Sequence, residues 1–160
     1  MAINFTVSEH NVAFPSKVKS GICGHTFNCY IGADMDNGVL VGIDGWKDYD
    51  RYTVKNAPAG FAGVIREQAK NGNWYVEVVN AGTDAPAIFI HQPVVVAGAP
   101  AKKYEDEKYF YNKAGSTVKG YELAMYDIIE ESAAIFTGTP AAGKSVTWDA
   151  STKKFVVATS

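Results

Sequence analysis

The sequence predicts an all-β fold with room for one or two short helices: a small antiparallel β-sandwich or barrel preceded by an N-terminal arm. Three observations carry that expectation. Runs rich in aromatic and β-branched residues recur along the chain, Trp74-Tyr75-Val76-Glu77-Val78-Val79 being the clearest. Turn chemistry interrupts them at short intervals, most plainly at Asn37-Gly38 and Asn71-Gly72. Helical spacing of apolar residues is confined to two segments, and both admit a strand reading.

Taken in order, residues 1–20 have weak periodicity and read as an extended arm, with 21–160 as a single β-rich domain. Cys29-Tyr30-Ile31 and Val39-Leu40-Val41-Gly42-Ile43 flank Asp36-Asn37-Gly38, which reads as a hairpin turn. Gly60 to Lys70 stays open. It is either a short helix carrying Phe61, Val64, Ile65 and Ala69, or the first strand of a hairpin turning at Asn71. The strand at 74–79 ends in the turn Asn80 to Asp84, and Ile88-Phe89-Ile90 and Val94-Val95-Val96 follow as short strands. Ala97 to Ala101 is a Gly/Pro/Ala connection, and the mixed charges of Lys102 to Lys108 read as a solvated loop.

Tyr109-Phe110-Tyr111 is expected to restart a strand. Met125, Ile128, Ile129, Ala133 and Phe136 follow helical spacing, yet Gly120, the β-prone residues and the flanking turns favour strands. Ser145 to Trp148 and Phe155 to Val157 flank Asp149 to Lys154 as a terminal hairpin.

Composition narrows the function classes. Of 160 residues, 47% are hydrophobic, enough for one domain to bury a core without covalent staples. A formal charge of −2 provides no basic field for nucleic acid and no acidic tail for a basic partner. The first thirty residues lack a charged n-region followed by an apolar stretch, and the apolar runs are too short to cross a bilayer, so no membrane association is expected. Synthesis and retention in a cytoplasm are expected, where Cys23 and Cys29 remain thiols.

Several motifs resemble catalytic or metal sites without their context. Gly138-Thr139-Pro140-Ala141-Ala142-Gly143-Lys144-Ser145 fits the phosphate-binding pattern G-x-x-x-x-G-K-[ST]. A true phosphate loop opens a helix whose N-terminus meets the anion. Here strand-like Val146-Thr147-Trp148 follows, so a turn between two strands is expected. Cys23, His25 and Cys29 alternate onto one face of a strand, but a rise of about 3.3 Å per residue sets the two thiols roughly 20 Å apart, too far for one zinc. Asp34-x-Asp36-x-Gly38 lacks the third ligand and the helices of a calcium loop. No G-x-S-x-G elbow is present. Glu105-Asp106-Glu107 and Glu130-Glu131 read as surface. No catalytic residue, cofactor or metal ligand is therefore expected. Trp46, Tyr49 and Tyr52, interleaved with Lys47, Asp48, Asp50 and Arg51, form an aromatic and charged cluster able to stack on a sugar or a partner protein.

The segment Tyr111-Asn112-Lys113-Ala114-Gly115-Ser116-Thr117-Val118-Lys119-Gly120-Tyr121-Glu122-Leu123 runs on through Asp127 to Ser132, Phe136-Thr137-Gly138 and Gly143 to Val146. Across residues 109–157 this pattern resembles capsid decoration (cement, or auxiliary capsid) proteins and related head-associated proteins of tailed bacteriophages. The resemblance implies an all-β structural virion protein, made in the host cytoplasm, that binds the outside of an assembled capsid and stabilises it. The implied partners are the major capsid protein and further copies of the chain, with a trimer favoured; no catalytic residue is implied. An N-terminal arm reaching a neighbouring subunit would use Phe5 and Phe14, and further partner contacts would fall on Trp46, Tyr49 and Tyr52. The alternative is a phage fibre or carbohydrate-binding, host-surface module that uses the aromatic cluster.

Overall fold

A computed structural model describes residues 10–93 and 110–159. The expectations for Phe5, the strand at Val94 to Val96, the connection 97–101, the charge run 102–108 with its acids, and Tyr109 lie outside the described residues. In chain order the elements are β1 (Ala13–Lys17), α1 (Lys19–Cys23), β2 (Thr26–Tyr30), β3 (Leu40–Asp48), β4 (Arg51–Asn56), β5 (Ala62–Gln68), β6 (Trp74–Asn80), β7 (Ile88–Ile90), β8 (Thr117–Glu122) and β9 (Ile128–Glu131). A 3-10 turn at Ala133–Ile135 then leads to β10 (Phe136–Thr137), β11 (Ser145–Asp149) and β12 (Lys154–Val157). The strands form a seven-stranded sheet, ordered β1-β9-β6-β5-β11-β12-β10, and a closed five-stranded barrel, β2-β4-β3-β7-β8.

The fold is all-β, as the alternating runs predict. It combines a barrel with an open sheet. Pairing is antiparallel except for β2 with β4 and β10 with β12, which are parallel. The open segment 60–70 is strand β5, hairpinned to β6 through a turn in which Ala69 N–H donates to the Asn73 carbonyl at 2.7 Å. The 125–136 segment contains β9, the 3-10 turn and β10. The terminal hairpin is β11 with β12. Within the stretch read as an arm, residues 13–17 are the edge strand β1, paired to β9.

Four expectations are corrected, the last of them at the acidic pair described below. The first is the hairpin at Asn37-Gly38, because β2 pairs with β4 and β8 and never with β3. Asn37 serves instead as a junction. Its Oδ1 accepts from Gln92 N–H (2.9 Å) and Asn112 Nδ2 (3.0 Å), and its carbonyl accepts from Asn11 Nδ2 (2.7 Å). Gly38 is buried tightly against the sheet. A Cβ there would collide with the Glu131 carboxyl and the Asn11 amide and lie 2.8 Å from Ala13 Cβ, and its φ is +87°.

The second correction concerns Phe110 and Tyr111, which form no strand; Asn112 makes an isolated bridge to Met35 through two 2.8 Å bonds. In the third, Cys23 ends the one-turn helix α1 rather than lying on a strand with Cys29. That turn closes at Gly24, in the left-handed region.

Apolar residues from both units form one core cluster. In the sheet, Phe155 meets Phe61, Phe136 and Trp148 at ring distances of 5.7, 5.8 and 4.9 Å. Gly120 is what lets the barrel close around its contents. A Cβ there would lie 2.5 Å from Ile88 and 2.8 Å from the Cys29 sulfur. Burial pushes the Cys29 thiol up to about 11, which keeps it protonated and unreactive.

The acidic pair Glu130-Glu131 is buried, correcting the surface reading: the two are 7% and 0% exposed. β9 is an inner strand covered on both faces. Glu130 Oε1 accepts from Asn71 Nδ2 (2.7 Å) and Asn73 Nδ2 (3.0 Å). Glu131 Oε2 accepts from Asn11 Nδ2, whose Oδ1 accepts in turn from Ser132 Oγ at 2.6 Å. Burial pushes the Glu131 carboxyl well above the ordinary carboxylate range, with neighbouring Glu130 adding to the rise.

Candidate functional site

Among the described residues, the end of the β3–β4 hairpin gathers exposed aromatic rings and charged groups in solvent. A two-residue turn, Tyr49-Asp50, joins the strands, with Asp48 opposite Arg51. Irregularities in register between Ile43 and Gly45, and between Trp46 and Asp48, increase the local twist. Trp46 sits directly across from Tyr52, their rings edge-to-face at 5.9 Å. Tyr52 is edge-on to Phe27 of β2 at 5.5 Å. The three rings run from the barrel wall outward. Trp46 is 65% exposed, and Tyr49 at the turn is 89% exposed.

Polar groups stiffen the same tip. Arg51 Nε donates to Asp48 Oδ2 at 2.9 Å, and its guanidinium holds the Asp48 carboxyl below the usual range while Asp48 raises Arg51. Lys47 Nζ lies 4.1 Å from the Tyr30 ring centre and Arg51 Cζ 5.4 Å from it, so both cations lie over that ring. Asn28 Nδ2 donates to Asp50 Oδ1 at 3.0 Å and ties the turn back to β2.

Of the residues singled out from sequence, the structure therefore brings Trp46, Tyr49 and Tyr52 together. It places Phe14 elsewhere: on edge strand β1, 43% exposed, with its ring 5.8 Å from His91. Tyr30 and Phe27 complete the cluster and were not legible beforehand. They join it through parallel pairing of β2 with β4, which leaves no local mark in the sequence.

The lookalike motifs have other work. The loop 138–144 connects β10 to β11, as a turn between strands, and no helix follows it. Its Gly143 N–H donates to the Ile65 carbonyl at 2.7 Å, and Ile65 N–H donates to the Lys144 carbonyl at 2.9 Å. This backbone is docked along β5 instead of wrapping an anion. Asp34 accepts from Ala114 N–H (2.9 Å), whereas Asp36 accepts from His10 Nδ1 and Asn11 N–H, so the two acids serve different contacts. Among the described residues no group of three or more His, Cys, Asp or Glu side chains is placed to hold a metal ion, and no helix is long and apolar enough to cross a membrane.

Comparison of the chain with protein families, with curated proteins and with solved structures returns no match. Fold and site define a mostly β protein, sheet plus closed barrel, that presents an aromatic hairpin tip to solvent.

Proposed function

We propose that this chain is a non-catalytic structural protein of a phage virion, bound to the outside of the assembled capsid and stabilising it through contacts with the major capsid protein. The observation that carries the proposal is the exposure of Trp46 and Tyr49 on a hairpin tip braced by Tyr52, Tyr30 and the Asp48–Arg51 pair. Trp, Tyr and Arg are the residues that most often dominate protein–protein binding energy. A braced tip loses little side-chain freedom on docking.

Strand addition is a poorer route to assembly. The barrel is closed, β10 spans two residues, and edge strand β1 carries Pro15 and Lys17. The partner class comes from the resemblance of residues 109–157 to head decoration proteins. That stretch supplies β8 to the barrel and β9 to β12 to the sheet, so it belongs to the whole fold. A shell repeats its sites by symmetry, which favours a homo-oligomeric subunit, a trimer in this reading.

The test is add-back. Capsids stripped of this chain should regain resistance to heat and osmotic shock when it is restored, and unchanged capsid stability would remove the proposal. The exposed indole of Trp46 beside Asp48, Asp50 and Arg51 also suits stacking on a sugar ring, which supports a second reading as a fibre or host-surface module. Glycan binding lost in Trp46→Ala, with no effect on capsids, would favour it.

A further inference from the structure

A second site lies away from the hairpin tip. A cleft of about 600 Å³ lies where the 34–39 segment, Tyr111, the 3-10 turn and the β11–β12 turn meet. That volume falls in the range of small-molecule sites. Met35, Ile135 and Tyr111 provide apolar lining, and Lys153 and Lys154 form its cationic side.

The charges of the cleft are unequally satisfied. Every nearby carboxylate already accepts from the protein: Asp34 from Ala114 N–H, Asp36 from His10 and Asn11 N–H, and Asp149, opposite Lys154, from Ser151 and Thr152. The Lys153 and Lys154 ammonium groups form no ion pair among the described residues. Asp34 and Asp36 balance the formal charge of the two lysines, and the ammonium groups are the charged groups of the cleft left open to a ligand.

Lys153 also holds an uncommon backbone conformation. Its φ is +54°, in the left-handed region where glycine or asparagine is the usual occupant. Stability alone favours glycine at such a position. A long cation there, lining a cleft, is the pattern of local strain kept for a functional side chain.

We propose that this cleft binds a small organic carboxylate, with its anionic group on Lys153 and Lys154 and its apolar body against Met35, Ile135 and Tyr111. Benzoate is the probe, and benzamide is its neutral counterpart of the same shape. In an amide NMR titration, benzoate should shift the Lys153, Lys154 and Ile135 signals saturably, and benzamide should bind at least about tenfold more weakly. Lys153→Gly should weaken benzoate by a similar factor while its thermal midpoint stays level or rises, because glycine accepts the φ that lysine resists. Failure of benzoate to saturate, equal binding of benzamide, or an unchanged affinity in Lys153→Gly would each overturn the proposal. Inorganic phosphate saturating the same signals as tightly as benzoate would also overturn it, since the apolar body would then contribute nothing.

Discussion

Asn11 and Glu131 stand 120 positions apart, yet Asn11 Nδ2 donates to Glu131 Oε2 at 2.6 Å inside the molecule. The same amide nitrogen reaches the Asn37 carbonyl, so one side chain joins the start of the described chain, the β2–β3 connection of the barrel and the inner strand β9 of the sheet. Removing one partner from a buried network leaves the others unsatisfied, at about 1–3 kcal/mol for each group. Asn11→Ala removes a partner from three groups: the Asn37 carbonyl, Glu131 Oε2 and the Ser132 hydroxyl proton, whose oxygen still accepts from Val12 N–H. Chemical denaturation should show a loss of roughly 3 kcal/mol or more.

The Glu131 carboxyl has a sign that can be tested. Its folded pKa is raised, so its contribution to stability is fully present below the unfolded value near 4.5 and is lost as pH rises through the folded value. His91 is shifted the other way, lowered from 6.5 by burial, so its contribution is lost as pH falls. Melting temperatures of the wild type should therefore decline along both limbs. Glu131→Gln keeps the shape without the ionisation and should flatten only the limb lost on raising the pH. An unchanged pH profile in that variant would contradict the assignment.

Gly38 and Gly115 separate backbone strain from crowding. Both have φ near +86°, at +87° and +85°, but a Cβ at Gly115 meets nothing within 4 Å, whereas at Gly38 it collides with the Glu131 and Asn11 side chains. Gly115→Ala should cost about 1–2 kcal/mol. Gly38→Ala should cost several kcal/mol or prevent folding, because overpacking adds to the same strain. Equal losses in the two variants would show that the Gly38 crowding is relieved by movement.

The hairpin tip predicts loss of binding without loss of fold. Tyr49→Ala removes a mostly exposed ring and should shift stability by only a few tenths of a kcal/mol, whereas Trp46→Ala also loses its ring contact with Tyr52 and should cost about 0.5–1.5 kcal/mol without unfolding the protein. Cosedimentation with stripped capsids should weaken by about thirtyfold for Trp46→Ala if it is a central contact.

Local features were legible in the sequence and long-range ones were not. Asn71-Gly72 marked the turn before β6 and offered the β5–β6 hairpin as one of two readings of Gly60 to Lys70, because the turn and both its strands are contiguous. Asn37-Gly38 has the same chemistry and a different outcome. Its deciding partners, Gln92 and Asn112, stand 55 and 75 positions away. Glu130 and Glu131 looked like surface because adjacent acids usually are. Their burial depends on β9 lying between β1 and β6, with Asn11, Asn71 and Asn73 arriving from distant segments. At the tip, Trp46, Tyr49 and Tyr52 were visible as a composition cluster, whereas Tyr30 joined through a parallel pairing that only the closed barrel creates.

The most direct test of the central proposal is immunogold electron microscopy of virions from a lysate that produces this chain. The account predicts regular labelling over the outside of the heads. Labelling confined to tail tips, or none on intact particles, would contradict it.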